Sequence, residues 1–302
     1  MKERFLVTGA YGFVGAWVLR QLVDEGVDVV AADASTDDHR VTALLDEDER
    51  AAIRFLRTDI SLPAEVEALF ELEPTHVVHL AALQVPFCRA DPIRGAQVNV
   101  VGTVSMFAAA VRTGLATPIV YASSAAAFAA ADAGLDPSGH PETHYGVYKL
   151  ANEESARVFH AENGLSSIGL RPYVGYGPGR DQGLTSAPTM AMRAAARGEP
   201  FTIGFTGTSQ LQYGPDAAAA FVAAARASYD GATVVNLPGV TASVDEIVEE
   251  IHAVVPDAAV AVEGGPLPFP PELDTDAFAG IVGELELTPL RDGVAQTIAH
   301  YR

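Results

Sequence analysis

The chain has 302 residues, and 19 Lys and Arg against 39 Asp and Glu leave a formal net charge of −20. Hydrophobic residues make up 49%, enough for a sizeable core, which excludes wholesale disorder. Nucleic acid and anionic membranes both need positive surface, so a charge of −20 argues against either partner. The single cysteine, Cys88, has no internal disulfide partner, which fits a reducing compartment. No stretch of 18 apolar residues runs without a helix breaker, and the Gly-broken N-terminus reads as strand plus turn, not as a signal peptide. The expected setting is cytoplasmic, with no membrane partner.

Short apolar runs alternate with amphipathic stretches. Arg4–Thr8 reads as a buried strand, and Gly12–Glu25 as a helix in which Val14, Val18, Leu19, Leu22 and Val23 share a face. Strands are predicted at Val27–Ala32, Ile53–Thr58 and Thr75–Ala81, with a helix starting at Pro63. Asp91-Pro92 opens one long helix to about Thr113. Pro118–Ser123 is the next strand, His144–Asn163 a helix, and Ser166–Arg171 a strand. This rhythm predicts an α/β protein, a doubly wound Rossmann-type parallel sheet covered on both faces. Helices follow at Thr185–Arg197 and Asp216–Ser228, with a strand at Thr233–Leu237. Ser243 caps a helix through a capping box with Glu246. Gly264–Pro271 is a loop, and Thr288–Tyr301 a terminal helix. The expected sheet has about seven strands, built from 1–172 with a return at about 208–240. A small discontinuous substrate domain would take about 173–207 and 241–302.

The first turn, Thr8-Gly9-Ala10-Tyr11-Gly12-Phe13-Val14-Gly15, has the spacing G-x-x-G-x-x-G between a strand and a helix. Such glycines let backbone N–H groups approach a pyrophosphate at the positive end of the helix. Asp33 ends the second strand, where a carboxylate accepts hydrogen bonds from ribose hydroxyls and repels a 2′-phosphate. The nearest cation is Arg40, so NAD is favoured over NADP. Asp59-Ile60 after the third strand can hold adenine, by a hydrogen bond and by packing. Tyr145-Gly146-Val147-Tyr148-Lys149 puts a phenol and an ammonium one helical turn apart, an arrangement expected to lower the Tyr145 pKa. Tyr121-Ala122-Ser123-Ser124 upstream supplies a hydroxyl for the reacting oxygen.

Taken together, TGAYGFVG, Asp59-Ile60, His79–Ala82, Asn99–Thr103, YASS, YGVYK and Leu170–Pro178 resemble, in order and spacing, the extended short-chain dehydrogenase/reductase family, the NAD-dependent epimerase/dehydratase group. The resemblance implies Tyr145 as acid/base, Lys149 as its partner and Ser124 as the third catalytic residue, with Ser123 as the fallback. It implies that Leu80, Ala81 and Ala82 line the cofactor and that Pro172, Tyr173 and Val174 lie at the nicotinamide. Asn99 would sit within its helix and bond backbone near the site. Tyr148 reads as packing. It also implies a homodimer through two helices, about Asp91–Thr113 and His144–Asn163.

Two departures bear on the substrate. Relatives hold a nucleotide-sugar diphosphate with arginines from the C-terminal half. Here Ser209 occupies one such position, and the loop Pro266–Glu272 contains no arginine. A smaller sugar or sugar-like substrate is therefore expected, with a nucleotide sugar as the alternative. Its candidate contacts are Gln84, Ser123, Ser124, Arg180 and Gln212. Arg180 is the cation nearest the expected mouth, able to grip a carboxylate or hydroxyls. Ala125-Ala126 stand where dehydratases carry an Asp-Glu pair, which disfavours dehydration. Cys88 reads as a buried small residue, with proton abstraction as its other role. His140 and His144 precede Tyr145 and are candidates to line the site. No histidine has metal-ligand spacing, so no metal is expected. Epimerase and dehydrogenase stay equally open, because the same three residues serve both. A non-catalytic NAD sensor is the alternative of another kind.

Overall fold

The computed structural model describes residues 2–131, 134–136, 141–267 and 270–302. The chain opens with β1 (Arg4–Thr8), α1 (Phe13–Asp24), β2 (Asp28–Asp33), α2 (His39–Leu44), α3 (Glu47–Ala51), β3 (Ile53–Arg57), α4 (Pro63–Phe70) and β4 (His76–His79). Then come α5 (Val85–Ala90), α6 (Pro92–Ala96), a π-helical turn at Gln97–Val101, α7 (Gly102–Thr113), β5 (Ile119–Ala122), β6 (Ala129–Ala131), β7 (Gly134–Asp136), α8 (His144–Asn163) and β8 (Ser167–Arg171). The remainder is β9 (Val174–Tyr176), α9 (Ala187–Arg197), β10 (Phe201–Ile203), β11 (Thr208–Tyr213), α10 (Gly214–Arg226), β12 (Ala232–Asn236), β13 (Val240–Ser243), α11 (Val244–Val254), β14 (Val260–Val262), α12 (Asp276–Val282) and α13 (Leu290–Tyr301).

Seven strands form one parallel sheet in the order β12-β8-β5-β4-β1-β2-β3. Strand period explains why both faces are covered. Phe5 and Val7 join a core with Leu19 and Leu22 of α1 and Phe221 of α10, while Leu6 between them joins Val66, Met106 and Phe107 from α4 and α7. The chain runs outward from β1 to β2 and β3, then returns to β4 on the other side of β1. This is the topological switch point, where a crevice opens at the carboxyl ends of the strands. Thr8 and His79 are direct neighbours across it. The His79 ring bridges the Thr8 hydroxyl at 2.6 Å and the Thr103 hydroxyl at 3.0 Å. Burial drives its pKa down to about 3, so the bridge is a neutral imidazole.

A third core, including Val174, Tyr176, Met192, Leu211, Ile247, Ile251 and Ile298, lies under a three-stranded sheet in the order β13-β11-β9 and under α9, α11 and α13. β11 pairs parallel to β9 and antiparallel to β13, so 208–213 belongs to this small sheet, and the return to the large sheet runs through α10 and β12. The expected capping box is present at α11, between Ser243 and Glu246. The single long helix expected from Asp91 is interrupted at Gln97–Val101. There the Asn99 carbonyl accepts from the Thr103 hydroxyl and from the Asn152 amide, each at 2.8 Å. Side chains thereby satisfy a carbonyl that a π turn takes out of the regular ladder.

Candidate active site

The phosphate turn is shaped by contacts that only glycine permits. Gly9 has φ +69°, and a Cβ there would meet the Ala81 nitrogen at 2.6 Å and the Leu80 carbonyl carbon at 2.7 Å. A Cβ on Gly15 would reach the Gly9 oxygen at 2.2 Å, so α1 is pressed against the turn that precedes it. Gly12 is the N-cap of α1, and no side chain caps it. The first-turn N–H groups of Phe13, Val14 and Gly15 thus stay open to an anion, and the 12-residue helix adds its positive end. Asp33 Oδ2 accepts the Tyr11 N–H and Oδ1 the Ser35 N–H, both at 2.9 Å, so the carboxylate is fixed beside the turn. Arg40 is occupied elsewhere, on Gly179, Asp181 and the Tyr11 carbonyl. An uncapped helix end, a close-packed glycine turn and a fixed carboxylate fit a dinucleotide with a free 2′-hydroxyl.

Other residues expected at the cofactor fall into two groups. Leu80 and Ala81 back directly onto Gly9, and Ala82 follows them. The Pro172 carbonyl accepts the Ala125 N–H at 3.1 Å, and the Tyr173 N–H donates to Gln212 at 2.7 Å, which ties both to the site's wall. Val174, however, is sealed in the third core at 1% exposure, because β9 pairs with β11 there. Ile60 is likewise buried, close enough to α7 that a Cβ on Gly102 would meet its Cδ1 at 2.6 Å, which leaves little side chain for adenine. Phe13 packs its ring against Gly175 and Gly214 and offers only its backbone to a phosphate. Asp59 pairs with Arg94 at 2.7 Å and also accepts from Ser61. The Asn99 side chain binds both polar atoms of the Leu83 backbone, at 2.7 and 2.9 Å, and so pins the segment after β4.

The catalytic candidates converge from β5 and α8. The Ser124 hydroxyl hydrogen-bonds the Tyr145 phenol. It also accepts the Ala126 N–H at 3.1 Å, which fixes its orientation. Lys149 Nζ lies 5.5 Å from the centre of the Tyr145 ring and donates to the Ala122 carbonyl at 2.5 Å. The expected depression of the Tyr145 pKa is not what this geometry produces. Burial pushes the phenol up to about 12, outweighing the hydrogen bond from Ser124 and the positive field of Arg180, while Cys88 adds to the rise. Burial also pushes Lys149 down to about 8. The resting pair is therefore a neutral phenol beside an ammonium that gives up its proton near neutral pH.

Two expected substrate contacts are corrected. Ser123 is buried, and its hydroxyl donates to Glu153, which also receives Arg171 through Nε at 2.8 Å and Nη2 at 2.6 Å. Gln212 is 1% exposed and spends its amide on the Tyr173 N–H and the Leu237 carbonyl, both at 2.7 Å. Gln84 and Arg180 both border Gly183. Gln84 Oε1 and Arg180 Nη2 each lie 3.8 Å from where a Gly183 Cβ would be. Arg180 donates to the Thr185 hydroxyl at 2.9 Å, while its neighbour Asp181 pairs with Arg40 and His39. Burial lowers the Arg180 pKa, and Arg180 and Tyr145 sense each other electrostatically. Cys88 is buried, donating to the Leu83 carbonyl and accepting from Asn99, each at 3.2 Å. Tyr148 packs as expected and donates to the Pro92 carbonyl at 2.8 Å, with the His144 ring stacked on it. His140 lies outside the described residues.

Sequence reasoning missed Glu153, Arg171, His39, Arg40 and Asp181 as structural parts of this site. Glu153 was visible only as a charge four residues beyond Lys149, and Arg171 only as a charge within Leu170–Pro178. The last three sit in segments without a distinctive pattern. Among the described residues no group of His, Cys, Asp and Glu side chains could hold a metal ion, and no helix is long and apolar enough to cross a membrane.

A family model described as NAD dependent epimerase/dehydratase family matches residues 5–237. UDP-glucuronate 4-epimerase 3 of Arabidopsis thaliana is 33% identical over 190 residues, covering 57% of this chain and 42% of that protein. The match thus spans less than half of that relative's length. UDP-glucose 4-epimerase of Mycolicibacterium smegmatis is 27% identical over 316 residues, covering 99% of this chain and 98% of the relative. The solved structure of MoeE5 with UDP-glucuronic acid and NAD superposes with a TM-score of 0.80 at 28% identity, covering 98% of each chain.

Proposed function

From the premise that the chain is a member of the NAD-dependent epimerase/dehydratase family, with NAD as its cofactor, we propose that it is a 4-epimerase of a nucleotide-linked sugar acid. The observation that carries the reading is Arg180, a cation held close enough to Tyr145 to influence its titration, whose guanidinium donates to the Thr185 hydroxyl while the neighbouring Asp181 is engaged by Arg40 and His39. A guanidinium in that position can receive a sugar carboxylate in bidentate fashion. Relatives named for UDP-glucuronate and UDP-glucose support the nucleotide part.

The chain's own residues would act as follows. Ser124 hydrogen-bonds the hydroxyl of the reacting carbon and keeps it beside the phenol. Tyr145 Oη takes up the proton from that hydroxyl when the carbon is oxidised and returns it on reduction. Its own proton passes to Lys149 in its neutral amine form, which a pKa near 8 keeps populated near neutral pH, and comes back from the resulting ammonium on reduction. Bound NAD supplies the hydride acceptor and donor. Arg180 and Gln84 would bind the sugar's carboxylate and hydroxyls in one of its two orientations, and that contact is released when the oxidised carbon turns its other face toward the cofactor.

A second reading, a free sugar acid, is favoured by one observation. Ser209, at the position relatives fill with a phosphate-binding arginine, is buried, and its hydroxyl bonds Tyr173. One experiment separates the readings. The purified protein is incubated with UDP-glucuronate or with free glucuronate, following the 4-epimer by chromatography and NADH by absorbance. A UDP-linked 4-epimer without net NADH is expected. Turnover of free glucuronate alone supports the second reading, and turnover of neither refutes a sugar-acid substrate.

A homodimer through α6–α7 and α8 belongs to the same proposal. Ile93, Val101, Val147 and Val158 are exposed apolar residues on those helices. Light scattering should give twice the chain mass, and Val147→Glu should lower it.

A further inference from the structure

Arg180 follows β9 in the chain, yet much of what holds its loop comes from the first 40 residues. The Pro178 carbonyl accepts from Trp17 Nε1, and the Gly179 carbonyl from Arg40 Nε, each at 3.0 Å. Asp181 pairs with Arg40 and receives His39 Nε2 at 2.6 Å. On its other edge, Arg40 Nη1 donates to the Tyr11 carbonyl at 3.1 Å, inside the phosphate turn. The Tyr11 N–H in turn binds Asp33, the expected ribose carboxylate. The side chains of Arg40 and Asp181 are only 12% and 23% exposed, so their charge-assisted bonds are shielded from water. Gly177, Gly179 and Gly183 take φ of +119°, +88° and +86°, a path that lets the loop double back with Arg180 turned to Thr185.

The geometry points to Arg40 as a positioning residue that couples the two binding sites: one guanidinium holds both the turn that fits the NAD pyrophosphate and the loop that sets Arg180. Neither Arg40 nor Asp181 touches the reacting atoms. On the substrate side the inference rests on Arg180 as the cation for the sugar acid, and on the cofactor side it does not. Coupling of this kind is reciprocal, so an ordered turn favours the Arg180 loop and an ordered loop favours the turn. It predicts that damage at Asp181, which among the described residues is paired with Arg40 and His39, is felt at the dinucleotide.

The test is the dissociation constant for NAD, measured calorimetrically on protein freed of dinucleotide, with no substrate present. Asp181→Asn removes the charge and keeps the shape. It should weaken NAD about tenfold, within the usual range of site-to-site coupling. Asp181→Glu should restore most of the affinity, and Arg40→Met with Asp181→Asn should be no weaker than Arg40→Met alone. An NAD affinity in Asp181→Asn within twofold of the parent, with circular dichroism unchanged, would overturn the coupling. So would equal losses in the Asn and Glu variants. An unchanged KM in Arg180→Met would remove the sugar-acid reading and leave the NAD result standing.

Discussion

Lys149→Met is the sharpest perturbation of the proposed chemistry. Lys149 is 4% exposed, and burial takes its pKa from 10.5 to about 8 against the opposing pull of Cys88 and Glu153. The difference, 10.5 − 8, corresponds to about 3 kcal/mol at 1.36 kcal/mol per unit. The sign follows from proton counting. Between about pH 8 and the unfolded value the unfolded chain binds more protons at this position than the folded one, so parent stability rises with pH. Methionine carries no titrating group, so the gap between parent and variant must change in the parent's favour by about 2–3 kcal/mol from pH 7 to pH 10. Urea unfolding of dinucleotide-free parent and variant at both pH values measures the gap. A gap independent of pH would refute the depressed ammonium and with it the proton exchange assigned to Lys149. In the same pH range parent turnover should rise through about pH 8, because the proton leaving Tyr145 is accepted only by the neutral Lys149 amine.

Tyr145→Phe should reduce turnover by about 10²–10⁴-fold while NAD titration stays near the parent value, since only the proton-transfer group is removed; substantial retained turnover would count against the acid/base role. Asp33→Ala should erode the preference for NAD over NADP, read as the ratio of the two dissociation constants, because the carboxylate that faces a 2′-phosphate is gone. Gly9→Ala combines a left-handed alanine with contacts of 2.6 and 2.7 Å to the backbone of Ala81 and Leu80. It should cost about 2–4 kcal/mol in urea unfolding, and full stability would mean that the turn relaxes freely.

The legible part of the protein is the part written in local pattern. Strand period and helix period in 1–171 were enough for six strands of the parallel sheet, and the His144–Asn163 helix matches its predicted bounds, because burial of Phe5, Leu6 and Val7 on alternating faces follows directly from neighbouring residues. Gly9, Asp33, Ser124, Tyr145 and Lys149 were equally readable, since each sits at a strand end or one helical turn from its partner. The π turn at Gln97–Val101 was not readable, because its stabilising partner Asn152 lies on another helix.

What the three-dimensional fold decided is the use made of side chains whose partners are far away in sequence. Ser123 and Ser124 are adjacent and chemically identical, yet Glu153 claims one and leaves the other to Tyr145. Gln212, a substrate candidate by sequence, is claimed by the Tyr173 N–H and the Leu237 carbonyl. Burial reversed the expected direction at Tyr145, since desolvation depends on what the whole chain packs around a phenol. Arg40, first read only as the cation nearest Asp33, meets Asp181 at a separation of 141 residues. By itself the sequence determined the family and the cofactor, because those rest on short-range spacing. What holds the Arg180 loop in place depended on tertiary contacts, through Trp17, His39 and Arg40, that no local pattern encodes.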